Sequence, residues 1–281
     1  MNSKETSRDS IGDKKVTISG TIRIAMKSKI EGREYQIFIS KPMDEPPPSG
    51  YPIIYVLDAN SVFGTIVEAV RLQSKRSEKT GVIPAVIVGI GYSTDAPFSS
   101  NRYYDFTMAS SPEKLPERPN GKPWPPHGGA ENFLNFIEKE LKPEVQRYID
   151  IDRKRQTLFG HSLGGLFVLN TLFTNPTLFQ TYIAGSPSIH WDKELFSEKE
   201  KEFYEKVRNE NIKADVFIGV GELEREHKSG MNNNALEVSK RLSLLKECGV
   251  CVKFKEFNDE GHLSVLLPLI NITLKYALYP N

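Results

Sequence analysis

The sequence predicts an α/β fold: a mostly parallel central sheet with helices on both faces and two antiparallel strands at its N-terminal edge. Three observations carry this. Short continuous apolar runs such as "IIYVLD", "PAVIVGIGY" and "ADVFIGVGE" have the composition of strands buried on both faces. They alternate with longer stretches of helical periodicity, the order that builds a helix-covered parallel sheet. Ahead of them, "VTISGTIRIAMKS" and "EGREYQIFISKP" alternate apolar and polar residues with period two, as half-buried antiparallel strands do.

Taken in order, the first 15 residues are polar and read as a flexible segment ahead of a single domain over residues 16–281. After the two edge strands, Pro-rich "KPMDEPPPSGYP" crosses the surface to the strand "IIYVLD". "SVFGTIVEAVRLQSKR" is a helix and "PAVIVGIGY" a strand. Residues 93–130 form a Pro-, Gly- and Ser-rich loop insertion, and connections that long are usually functional or disordered. "AENFLNFIEKELKPEVQRY" is an amphipathic helix, "DRKRQ" with Arg153, Lys154 and Arg155 a solvated turn, and "RQTLFG" a strand. "LGGLFVLNTLFTN" is a buried helix stopped before Pro176. The strands "QTYIAGSP" and "ADVFIGVGE" flank the charged helix "DKELFSEKEKEFYEKVRNE". The helix "NALEVSKRLSLLKE", the strand "CVKFKEFN" and the helix "LSVLLPLINITLKYAL" close the chain, and no internal repeat is visible.

Composition bounds the function. With 281 residues, 38% hydrophobic and 26% charged, the chain can bury one large core. Its 37 basic and 36 acidic side chains leave a formal charge of +1, so no overall field recruits nucleic acid or a membrane. No run approaches the roughly 18 apolar residues of a membrane span, and the start lacks the apolar core of a signal peptide, so the chain reads as cytoplasmic. Cys248 and Cys251 form a C-x-x-C without the flanks of a redox unit, and a structural or incidental role is expected of them.

The chemistry sits in "FGHSLGG". If the strand ends at Phe159 and the helix begins near Leu163, Ser162 lies on the turn between them, with Gly160 and Gly164 where only small residues fit. Such a turn lifts the hydroxyl above the carboxyl edge of the sheet. It also leaves the Leu163 N–H at a helix N-terminus, suited to an oxyanion. In this architecture the order is serine, acid, histidine. His262 in "NDEGHLSV" stands on a loop after the last strand, where the base belongs; His227 reads as solvated, and His161 as pointing away on the turn. Glu224 and Glu222, after "DVFIGVG", are the candidate acids, with Glu224 preferred for its reach. The second oxyanion donor is expected at Ala59 or Asn60 after "YVLD"; Asp58 is equally placed to cap the following helix.

Together "YPIIYVLDAN", "VGIGY", "NRYYDFT", "GHSLGGLF", "AGSPSIHW", "VGELE" and "GHLSVLLP" resemble the esterase D-like branch of the α/β-hydrolases, and within it the siderophore trilactone esterases. The resemblance spans roughly residues 15 to 280, with alanine in "LDAN" where the family carries glycine. It implies an α/β-hydrolase fold and a serine esterase that opens the lactone ring of a ferric enterobactin- or bacillibactin-type triscatecholate, with Ser162 as nucleophile and His262 as base. Some members resemble a dyad, which leaves the acid open. Arg102 matches the arginine of an R-x-x-D-x-T stretch near the substrate. A ferric triscatecholate carries about three negative charges, so cationic groups and aromatic faces should line its pocket. Arg102, Tyr103 and Trp191 are the candidates; alternatively the loop aromatics form a satellite core of their own, or Trp191 anchors a helix. The partner expected is a small-molecule ester, with no cofactor and no resident metal, the iron arriving with the substrate. A general carboxylesterase for feruloyl, thioester or short-acyl substrates is the alternative.

Overall fold

Eight runs rich in Val, Ile, Phe and Tyr hydrogen-bond into one sheet. In the computed structural model, which describes residues 16–118 and 121–279, the strands are β1 (Thr21–Lys27), β2 (Glu34–Ser40), β3 (Tyr51–Val56), β4 (Val86–Gly91), β5 (Ile151–His161), β6 (Thr181–Gly185), β7 (Ala214–Gly221) and β8 (Val250–Phe257). Their spatial order is β1-β2-β4-β3-β5-β6-β7-β8. The β1/β2 and β2/β4 pairs are antiparallel and all the others parallel, the arrangement the alternating pattern predicts. Every residue of β3 and β4 is buried, as continuous apolar strands between two helical layers must be. The expected flexible segment at residues 1–15 lies outside the described residues.

The helices are α1 (Ala59–Gln73), α2 (Ser77–Thr80), α3 (Arg102–Phe106), α4 (Ala130–Phe136), α5 (Lys142–Tyr148), α6 (Leu163–Thr174), α7 (Lys193–Asn209), α8 (Met231–Ser243) and α9 (Leu266–Ala277). A π-type turn at Ile137–Leu141 joins α4 to α5. One face of the sheet packs α1 and α9 through Phe63, Ile66, Leu269 and Leu274; the other packs the remaining large helices around Phe133, Phe167, Phe173 and Phe203. None of the described helices is long and apolar enough to cross a membrane.

Two sequence expectations are corrected. Arg153, Lys154 and Arg155 lie within β5, not on a solvated turn. Here β5 bulges against β3, with Tyr51 opposite Ile151 but Ile53 opposite Gln156, and the extra residues keep Arg153 and Lys154 exposed while the chain stays extended. The last helix starts at Leu266, not Leu263. Pro268 has no N–H to close an earlier turn, so it is tolerated only within the first turn of a helix that begins late.

The described residues between 93 and 130 pack onto the sheet. Phe106 is buried in the main core, and Tyr103 and Trp124 pack against that same core, so the insertion's aromatics form no separate satellite. Asp105, with 0% exposure, accepts hydrogen bonds from Arg33 Nε (3.1 Å), Tyr35 Oη (3.2 Å) and Tyr92 Oη (2.8 Å). Burial pushes its carboxyl up to about 6 against the pull of Arg33 and the two phenols. Three residues earlier in the chain, Arg102 forks onto Asp58 at the end of β3, Nε to Oδ1 at 2.9 Å and Nη2 to Oδ2 at 2.8 Å. β3 has β4 on one side and β5 on the other. Chain connections therefore diverge here, and the carboxyl ends of β3 and β5 frame the crevice where open α/β sheets bind ligands.

Candidate active site

Ser162 follows β5 with φ 60° and ψ −118°, a backbone held in a sparsely populated region. Its N–H donates to Gly185 O (2.9 Å), and its carbonyl accepts from the N–H groups of Leu166 and Ser188, so both sides of the turn are pinned. A Cβ at Gly160 would overlap the Gly164 carbonyl, so the first small residue is dictated by the crossing chain. Gly164 has ordinary space for a Cβ, 3.5 Å from Asp58. The second tight position is Gly165, whose Cβ would meet Gly185 O at 2.6 Å. The smallness expected at Gly164 is thus required one residue later.

From this turn a chain of hydrogen bonds runs across three loops. Ser162 Oγ lies 3.1 Å from His262 Nε2, and His262 Nδ1 lies 2.7 Å from Glu224 Oε2. His262 occupies the loop between β8 and α9, and Glu224 a short 3₁₀ turn directly after β7. Glu224 is buried, and its Oε1 also accepts from Ser186 Oγ (2.6 Å) and from the Gly221 N–H (2.7 Å). Burial alone would push its carboxyl up; the bonds from His262, Ser186 and Gly221 outweigh it and hold the group below the usual glutamate range. Glu222 points elsewhere and accepts the Asp259 N–H at 3.1 Å.

Behind His262 lies His161. Its ring centroid is 4.6 Å from that of His262, tilted by 45°, and the side chain is 4% exposed. Burial, reinforced by the neighbouring His262, pushes its imidazole down to about 3, so it is neutral. The side chain therefore turns toward the site, contrary to its expected direction. Ser188 Oγ stands 3.3 Å from Ser162 Oγ.

Ser162 opens into a cavity of about 350 Å³. Leu163 lines it, and its N–H, in the first turn of α6, has no intrahelical acceptor and lies at the positive end of the helix dipole. One wall is aromatic: Tyr103, Trp124 and Trp191 meet with centroids 4.7 to 6.0 Å apart. Arg102 lines the cavity too, yet three of its N–H groups are spent on Asp58 and the His161 carbonyl. Asp58 forms no side-chain cap on α1, so the capping alternative gives way to an ion pair. His190 and His227 also line the space, His227 as an exposed side chain at its mouth. Burial lowers His190 to about 4.

Ala59 and Asn60 are not among the residues that line this cavity. Both border a separate open hollow beside β2, where the Asn60 amide bonds the backbone of Tyr92 and Thr94. Sequence reasoning missed Ser186, Ser188, Trp124 and the turned-in His161. Their signal was positional: "SPS" follows the apolar run of β6, at the same sheet edge as Ser162. Cys248 and Cys251 are free, exposed thiols flanking Gly249.

The chain is similar to known esterases over most of its length. The Esterase family model matches residues 28–260. The chain is 58% identical over 265 residues to the ferri-bacillibactin esterase BesA of Bacillus subtilis, covering 94% of this chain and 92% of that protein. It is 32% identical over 249 residues to the apo-salmochelin esterase of Escherichia coli, with 88% and 74% covered. The crystal structure of the BES protein from Bacillus cereus superposes with a TM-score of 0.88 at 46% identity, over 96% of this chain and 100% of that one. The chain belongs to the Esterase family, in its esterase D-like group of siderophore esterases.

Proposed function

We propose that this protein hydrolyses the lactone esters of a ferric triscatecholate siderophore of the bacillibactin type, with Ser162 as nucleophile, His262 as base and Glu224 as acid. The observation that carries this reading is the unbroken Ser162–His262–Glu224 hydrogen-bond chain at the floor of an aromatic-walled cavity. The 58% identity to a ferri-bacillibactin esterase supports the substrate.

His262 Nε2 takes the Ser162 proton as Oγ attacks a lactone carbonyl, and Glu224 stabilises the imidazolium through Nδ1. The Leu163 N–H donates to the oxyanion. Collapse of the tetrahedral intermediate expels the ring alcohol oxygen, which receives the proton from His262. Water, deprotonated by His262, then attacks the seryl ester and regenerates the free hydroxyl. Tyr103, Trp124 and Trp191 offer faces for the substrate's aryl rings. Arg102 lines the cavity, and its two Nη1 hydrogens, which donate to no group among the described residues, remain for an anionic ligand. Iron enters and leaves as part of the substrate.

The test is ring opening of a ferric triscatecholate trilactone, followed by mass for the wild type and for Ser162→Ala. The variant should lose roughly 10⁴- to 10⁶-fold in turnover. Retention of more than about a tenth of the activity would remove Ser162 from the mechanism. Cleavage of small aryl esters with the trilactone left intact would favour the general carboxylesterase reading instead.

A further inference from the structure

Ser186 has a strained backbone and a buried hydroxyl that the nucleophile, base and acid do not account for. It follows β6 with φ 37°, in the left-handed region that favours glycine, where a side chain is strained unless its surroundings over-determine it. Two short bonds do so. The Ser186 N–H donates to Gly219 O at 2.7 Å, and its Oγ donates to Glu224 Oε1 at 2.6 Å. Exposure is 0%. Glycine would fit this backbone without strain, so what serine adds is the hydroxyl and the one bond it makes.

That bond falls on the oxygen of Glu224 that does not face His262. Oε1 takes the Ser186 hydroxyl and the Gly221 N–H, leaving Oε2 for His262 Nδ1. Without the Ser186 hydroxyl, Oε1 would keep only the Gly221 N–H, a single bond about which the intrinsically broad terminal torsion of a glutamate can turn. We propose that Ser186 is a positioning residue for the acid: its hydroxyl, presented by a strained turn at the end of β6, fixes the Glu224 carboxylate plane so that Oε2 stays on His262. This rests on Ser162, His262 and Glu224 acting as the catalytic chain. Ser186 is not among the residues lining the cavity, so it acts through Glu224 and leaves substrate binding alone.

The test compares Ser186→Gly, Ser186→Ala and Glu224→Gln with the wild type on a p-nitrophenyl ester that the wild type cleaves, reading kcat, KM and the urea midpoint. Both serine variants should lose about tenfold in kcat with KM unchanged, the fold-change expected for one hydrogen bond to a charged group. Their stabilities should differ, Ser186→Gly being the more stable because it relieves the positive φ while Ser186→Ala keeps it. Equal loss of kcat at unequal stability is the signature of the hydroxyl. Wild-type kcat in Ser186→Gly beside an impaired Glu224→Gln overturns the proposal and leaves a purely backbone role. Wild-type kcat in Glu224→Gln instead removes the acid itself, and the role of Ser186 falls with it.

Discussion

At the scale of single residues, His161 shows how far a side chain's role can depart from its place in a motif. It immediately precedes Ser162, yet it works as a buried, neutral floor beneath His262. Its folded pKa of about 3 lies below the unfolded histidine value of about 6.5. Between these the unfolded chain binds a proton that the folded chain refuses. The stability tied to His161 is therefore full above about pH 6.5 and is lost as pH falls toward 3. His161→Phe keeps a ring against His262 and removes the titration. Between pH 7 and pH 4 its urea midpoint should fall less than that of the wild type. His190 titrates with the same sign in both proteins and cancels in the comparison. Equal falls would show that His161 is not the buried, neutral imidazole described. The strain at Ser162 and Ser186 belongs to this scale as well, since both hold non-glycine residues at positive φ beside the same carboxylate–imidazole pair.

At the scale of elements, local rules account for most boundaries. α7 begins where Asp192 accepts the Leu195 N–H at 3.0 Å, a cap legible in "DKEL" ahead of the amphipathic run. Asp192→Ala should cost about 1 kcal/mol in equilibrium urea unfolding; an unchanged midpoint would mean that this bond contributes nothing. Late entry into α9 follows from Pro268, which is visible in the sequence within an apolar periodicity that runs on either side of it. The charged start of β5 was not legible. "DRKR" has no strand-like pattern, and it is extended because β3 pairs with it across a bulge. Strand propensity yields to pairing in such places.

At the scale of the whole molecule, the strand order collects the carboxyl ends of β5, β6, β7 and β8 along one edge, so that Ser162, Ser186, Glu224 and His262 converge from four different loops. Residues 93–130 contribute Arg102, Tyr103 and Trp124 to the cavity at that edge and are tied down through two buried carboxylates, Asp58 and Asp105. Removing the cation of such a pair strands a buried charge. Arg102→Met should therefore destabilise the protein by about 3–5 kcal/mol in guanidinium unfolding, and adding Asp58→Asn should recover most of the loss. If the double variant were no more stable than the single one, Asp58 would not be the partner that matters.

The residues themselves determined the alternation of buried strands and helices, the tight turn that displays Ser162, and the histidine loop after the last strand. Each is written in contiguous spacing: apolar period, a G-x-S-x-G at a strand–helix junction, a glycine loop. Tertiary structure alone decided that Glu224 and not Glu222 reaches His262, that Arg102 commits two of its donors to Asp58, that Ala59 and Asn60 border another hollow, and that Ser186 stands behind Glu224. Those contacts join residues 38 or 44 positions apart, through strand order and register. A hydrogen bond is made or lost within a few tenths of an ångström, a precision that no local pattern encodes.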